Sequence, residues 1–235
     1  MPRPAVVFAS GQLLTDDVWA PQVEALAPNY DLILADHGRD DTIAGMAQRL
    51  LVTAPERFHL VAHALGGFTA FEVMRQQPQR VMSLVLIATL APNDGPAQTE
   101  RRQGYIRLVE AGRFDQVVEE RVPILLPPDR RDDGPLLARV RKMAADTGAE
   151  RFLAQQRAIM SRIDSRPSLT AIKVPTLVIR GIHDGITTPD QQAEILAGIP
   201  HARFVEMPGV GHLPTLEAPE ETNRLLTDWL TEQVV

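Results

Sequence analysis

The sequence predicts an α/β fold, a parallel sheet of about six strands flanked by helices, and three observations carry that expectation. Short apolar runs recur along the chain, each ending near Gly, Asp or His, and longer amphipathic segments separate them, which is the rhythm of βαβ units. Most of these runs are nearly continuous Val, Leu and Ile, the pattern of strands buried on both faces of a parallel sheet. The 235 residues, 44% apolar and 23% charged, suit one domain with an insertion and a sizeable core; they disfavour a disordered chain, a collagen-like repeat or a coiled coil.

In chain order the expected strands are Ala5 to Ala9, Asp31 to Ala35, Phe58 to Ala62, Met82 to Ala88, Thr176 to Arg180 and Arg203 to Met207. The helices expected between them are Trp19 to Ala27, Ile43 to Thr53, Leu65 to Gln77, Pro189 to Ala197 and Pro219 to Leu230. Pro21, Pro189 and Pro219 stand near helix starts, where a missing N–H costs little. From Pro92 to Arg166 the rhythm breaks: no strand pattern occurs, and Arg, Glu, Ala and Leu recur at helical spacing in Arg107 to Ala111, Phe114 to Val122, Leu136 to Ala145 and Phe152 to Ile163. The strand pattern resumes directly after Ile172-Lys173-Val174-Pro175. Residues 92–166 are therefore expected to form a helical cap inserted after the fourth strand, with 1–91 and 167–235 as the core. The expected strand order is second, first, third, fourth, fifth, sixth, with right-handed crossovers.

Composition narrows the function. With 24 Lys and Arg against 30 Asp and Glu the formal charge is −6, so neither nucleic acid nor an anionic membrane surface is an expected partner, and small-molecule work is favoured. The absence of cysteine excludes disulfides, thiolate metal sites and a cysteine nucleophile. The longest apolar stretch, around Leu84 to Ala91, is far below the roughly 20 residues of a membrane span. The run Ala5 to Ala9 is too short for a signal-peptide core, which makes the cytoplasm the expected location. Without an HExxH pattern, a phosphate-binding glycine loop or a carboxylate cluster, neither a metal nor a cofactor is expected.

The most informative stretch is Phe58-His59-Leu60-Val61-Ala62-His63-Ala64-Leu65-Gly66-Gly67-Phe68: a buried strand, a turn of small residues and a helix. It looks like the nucleophile elbow G-x-S-x-G, with Ala62 at the first glycine and Ala64 where the serine should be. Asp184, after the fifth strand, and His212, in the glycine-rich loop after the sixth, follow in the chain order nucleophile, acid, histidine. The C-terminal ends of neighbouring parallel strands converge on one edge, so these positions are expected to meet there. Taken alone, Asp184 also reads as a helix-start acid and His212 as a surface turn residue; Asp94 is the second candidate acid. His63 is expected to be a packed neighbour, and His37, His59, His183 and His201 to be structural or exposed.

On these motifs, together with Gly211-His212-Leu213-Pro214 and Leu216-Glu217-Ala218-Pro219, the chain resembles the α/β-hydrolase superfamily over nearly its whole length. Within it, the look is of small capped bacterial esterases and lactonases, such as 3-oxoadipate enol-lactonases and pimeloyl-carrier-protein methyl esterases. It departs from the family by starting almost directly at the strand that usually comes third. The resemblance implies that Ser10-Gly11-Gln12 is the turn after the first strand, with the N–H groups of Gln12 and Leu65 forming an oxyanion hole. It implies a small ester or lactone as substrate. Among substrate-contacting residues, Ser10, Leu108, Ile159 and Ile163 are expected, and apolar cap residues, with Phe114 and Met160 among them, should make the pocket largely hydrophobic.

Alanine cannot be a nucleophile. Either Ala64 is a deliberate substitution that traps substrate, or the chain is a binding member of the fold, or Asp184 and His212 act on water or another group directly, as in a cofactor-free lyase or oxygenase using His212 as base. The first is favoured, because acid, base and oxyanion elements all remain. Thr69 and Ser83 lie too far off to replace the serine, leaving Ser10 as the only nearby hydroxyl.

Overall fold

The computed structural model describes residues 3–36 and 38–233. Six strands form one sheet: β1 (Ala5–Ala9), β2 (Asp31–Leu34), β3 (Phe58–His63), β4 (Val81–Ile87), β5 (Thr176–Gly181) and β6 (Arg203–Met207). Their order is β2-β1-β3-β4-β5-β6, and every pairing is parallel, as the run pattern predicts. The register aligns Phe8 with Val61 and Ile87 with Ile179. The C-terminal ends of the central strands therefore lie along one edge.

The period-2 alternation of strand side chains divides the core into two layers. Val6, Phe8, Val61, Val85, Ile87 and Ile179 pack with α1 (Ala20–Leu26) and the last helix, Pro219–Glu232, through Leu26, Leu226, Trp229 and Leu230. Val7, Ala9, Leu60, Ala62, Leu84, Leu86 and Val178 face the other way. They pack on α2 (Ile43–Thr53), α3 (Leu65–Gln76) and the helix Pro189–Gly198 through Leu50, Phe71, Val73 and Ile195. Helix starts use side-chain caps where the sequence supplies them: the Thr42 side chain accepts from Gly45 N–H, and Thr188 and Gln191 form a reciprocal capping box.

Between β4 and β5 lie α4 (Pro96–Glu110), α5 (Phe114–Arg121) and α6 (Gly134–Ser161). α4 extends well ahead of the helical pattern seen in Arg107 to Ala111; its first turns are polar and carry no apolar period. The helices expected over 136–145 and 152–163 lie on either side of a kink in α6 at Gly148, which leaves helical geometry (φ 74°, ψ 166°). After β5 come α7 (Pro189–Gly198), α8 (Pro214–Glu217) and α9 (Pro219–Glu232). Among the described residues no helix is long and apolar enough to cross a membrane.

Candidate active site

The turn that ends β3 is strained. Ala64 has φ 49° and ψ −109°, a region that a residue with a Cβ enters at a cost on the order of 1–3 kcal/mol. The surrounding contacts hold it there. Ala64 N–H donates to the Ile87 carbonyl at 3.0 Å, and its carbonyl accepts from Thr89 Oγ at 2.8 Å. α3 can start this close to the sheet only because Gly66 and Gly67 follow. A Cβ on Gly66 would sit 2.0 Å from the Ala9 carbonyl oxygen, and one on Gly67 2.2 Å from Thr89 Oγ1. Leu65, the first residue of α3, has an N–H with no acceptor within the helix. Neither it nor Gln12 N–H donates to another described group.

His212 Nδ1–H donates to Asp184 Oδ2 at 2.9 Å, and both side chains are buried. Burial by itself raises the Asp184 carboxyl. The charge and hydrogen bond of His212, the Thr187 hydroxyl and the Ile186 N–H outweigh it and bring the group down to about 2. The loop carrying His212 is held from both sides by one residue. Glu217 accepts from Gly211 N–H and from Leu213 N–H, each at 2.7 Å, so its carboxylate brackets the histidine. Burial raises the Glu217 carboxyl above its usual range, partly offset by these two N–H groups. His63 supports the same loop: its Nε2–H donates to the His212 carbonyl at 2.7 Å, and the two rings stand 5.1 Å apart. Desolvation, followed by the charge of His212, pulls the His63 pKa down to about 3, so it stays neutral. It is a buried neighbour of His212.

Ala64, Leu65, Gln12, His63 and His212 line a cavity of about 310 Å³, closed on the far side by residues of the inserted helices. Among the described residues, the three non-glycine residues with positive φ, Leu13, Ala64 and Ala88, lie in its wall. Ile159 is in the wall as expected. Three other expected contacts are not. Leu108 packs into the core from α4, and Ile163, beyond the end of α6, is 58% exposed. Ser10 accepts a hydrogen bond from Trp19 Nε1 at 2.9 Å and lines a neighbouring depression with Asp16, Asp17 and Arg151. Phe114 instead stacks on Phe152, with centroids 5.7 Å apart. Asp94 is not the partner of His212: its two oxygens bind Arg102 Nε at 2.5 Å and Arg162 Nη2 at 2.8 Å. Ser83 bonds His59 Nδ1 at 2.8 Å, at the opposite end of the sheet from the site. His183 and His201 are exposed, and His37 lies outside the described residues.

The sequence matches the alpha/beta hydrolase family over residues 5–225. This chain belongs to that family. RutD of Pseudomonas savastanoi pv. phaseolicola, which carries the name "Putative carbamate hydrolase", is 30% identical over 98% of this chain and 95% of its own. A pimeloyl-[acyl-carrier protein] methyl ester esterase of Nitrosomonas europaea is 28% identical over 93% and 92%. Among solved structures, a thermophilic esterase from Thermogutta terrifontis with malate bound superposes with a TM-score of 0.89 at 25% identity, over 100% of this chain and 92% of that one. The enol-lactonase of Burkholderia xenovorans LB400 gives 0.88 at 25% identity over 98% and 92%.

The cavity of this alpha/beta hydrolase is more polar than its sequence leads one to expect. Arg101 and Arg102 from α4, Arg121 at the end of α5 and Arg162 after α6 all line it, with Asp94 as the acidic side chain among them. Arg102 also reaches Gln156 Oε1 at 3.1 Å, and Arg162 lies 4.5 Å over the Phe68 ring. Helical periodicity shows that a residue lies on a helix, not that its face turns to a cavity, so arginines 60 residues apart gave no joint signal. Among the described residues no group of three or more His, Cys, Asp and Glu is placed to hold a metal ion.

Proposed function

We propose that this chain carries the binding and acid–base machinery of a serine-type hydrolase for a small carboxylic ester or lactone, with alanine where the nucleophile would stand. The observation that carries this reading is the buried His212–Asp184 pair at a cavity whose floor is the strained turn at Ala64. The curated esterase and the enol-lactonase among its relatives support it, and the carbamate hydrolase name of RutD adds a third acyl chemistry open to the same groups.

With serine at position 64, His212 Nε2 takes the hydroxyl proton as the oxygen attacks the carbonyl. Asp184 keeps Nδ1–H oriented and stabilises the imidazolium. The N–H groups of Gln12 and Leu65 receive the oxyanion, the second with the helpful end of the α3 dipole behind it. His212 then protonates the departing alkoxide, and water, deprotonated by His212, cleaves the acyl-enzyme. Residues 92–166 act as a cap that selects the substrate. With alanine no acyl-enzyme forms. The methyl is smaller than a hydroxymethyl and leaves no unpaired donor, so substrate is held intact.

A second reading, a binding member of the fold, is favoured by Ala64 itself. Assaying a panel of small esters, lactones and carbamates on this chain and on Ala64→Ser separates the two. Hydrolysis that appears with Ala64→Ser and vanishes with Ala64→Ser/His212→Ala supports the hydrolase. An inert Ala64→Ser, beside an unmodified chain that binds a carbonyl compound well, supports the binding protein.

A further inference from the structure

We infer that the cavity selects small esters whose acyl part ends in a second, ionised carboxylate, and that Arg121, with Arg101 beside it, receives that carboxylate. The inference rests on the ester-binding reading above and adds the substrate class.

The arginines of the cavity are not equivalent. Arg102 and Arg162 are occupied: they share Asp94, and Arg162 also donates to the carbonyls of Pro92 and Ile159. Arg121 and Arg101 have no carboxylate within ion-pair distance among the described residues. Arg121 closes α5 with its guanidinium 5.7 Å from the Tyr105 ring centroid, and its Nε is buried without a hydrogen-bond partner. A buried guanidinium without an anion is costly, and the usual compensation is a fork of two N–H···O bonds to a carboxylate. Among the described residues no side-chain carboxylate supplies one, the Tyr105 hydroxyl being its neutral neighbour, and Arg121 lines the cavity. Burial lowers the Arg121 pKa; the Tyr105 hydroxyl beside it offsets part of the fall and the charge of Arg101 adds to it.

The charge balance agrees. The chain as a whole carries −6, yet four arginines against one aspartate line this cavity, so its local field attracts anions that the rest of the surface repels. The oxyanion donors sit at the sheet edge and Arg121 on the inserted helices, so a ligand joining them has its reacting carbonyl at one end and its charge at the other. A carboxylate matches the guanidinium fork with two parallel N–H···O bonds, and the cavity of about 310 Å³ accommodates a small ester that carries one.

The unmodified chain suits the test, because without a nucleophile it binds esters without consuming them. Calorimetric affinities for monomethyl adipate, an anion, and dimethyl adipate, its neutral counterpart, are compared at low and high salt. The expected result is at least tenfold tighter binding of the monoester, a preference that shrinks as salt rises. Arg121→Met should bring the ratio near one and Arg121→Lys should keep part of it, each with a melting curve that reports folding. Equal binding of the two esters by the unmodified chain, or a preference that survives Arg121→Met in a folded protein, overturns the proposal. Turnover by Ala64→Ser is read separately on a neutral ester. An inert Ala64→Ser with the charge preference intact removes the hydrolase reading and leaves the anion site; an active one without the preference does the reverse.

Discussion

At the scale of single residues, the account turns on groups that act through others as much as on the reacting pair. Asp184 keeps one tautomer and one orientation of His212. In the Ala64→Ser background, Asp184→Asn should lower turnover by about 10⁴, the loss that the same change causes in another serine hydrolase, with substrate affinity little altered. Glu217 is a positioning residue. Its carboxylate accepts two N–H groups on either side of His212, and an amide offers one acceptor only, turning an NH2 toward the other N–H. Glu217→Gln should therefore cost about 2 kcal/mol, a fall of several degrees in Tm, and lower the kcat of Ala64→Ser. Thermal melts and steady-state kinetics check the two parts. That Asp184 and His212 meet was legible in the sequence because each lies in a short motif just after the end of a neighbouring parallel strand. Glu217 was visible in its motif, but nothing in the sequence reveals that one side chain turns back onto two backbone donors.

At the scale of elements, the site depends on α3 starting against the end of β1. Gly66→Ala would drive a methyl into the Ala9 carbonyl oxygen, backbone that has nowhere to move. It should cost about 3 kcal/mol or more, read as a lower denaturant midpoint at unchanged slope. Gly134→Ala, at the start of α6 with nothing near its Cβ, should be neutral or slightly stabilising by the same measurement. The strands were legible because buried parallel strands have a composition of their own, continuous Val, Leu and Ile. The inserted helices were legible only as helices. Leu108 and Ile163 share the apolar character of Ile159, yet one packs into the core and the other faces solvent. Which face meets the cavity is decided by how α4, α5 and α6 dock, and a single helix carries no record of that. The pocket expected to be largely hydrophobic carries four arginines beside its apolar wall for the same reason.

At the scale of the whole molecule, two buried histidines contribute a distinct part of how stability follows pH. Desolvation lowers His59 to about 4 and His63 to about 3, from 6.5. Below pH 6.5 the unfolded chain binds protons that the folded chain refuses, so stability is full above that pH and falls as pH drops toward 4. Each histidine contributes a slope of up to about 1.4 kcal/mol per pH unit. The lowered carboxyl of Asp184 adds a further loss between about 4 and 2. His59→Asn, which removes one of the two histidines while keeping an acceptor for Ser83, should nearly halve the histidine part of the slope in urea titrations between pH 6.5 and 4.5. The fold, the acid–base pair and the cavity together make the central claim that position 64 sits in working serine-hydrolase machinery. Its most direct test is intact-mass and peptide analysis after treatment with a fluorophosphonate, which reacts only with an activated hydroxyl. The account predicts stoichiometric labelling at position 64 in Ala64→Ser, none in the unmodified chain, and loss of the label in Ala64→Ser/His212→Ala. A folded Ala64→Ser that takes up no label, or one labelled equally well without His212, would contradict it.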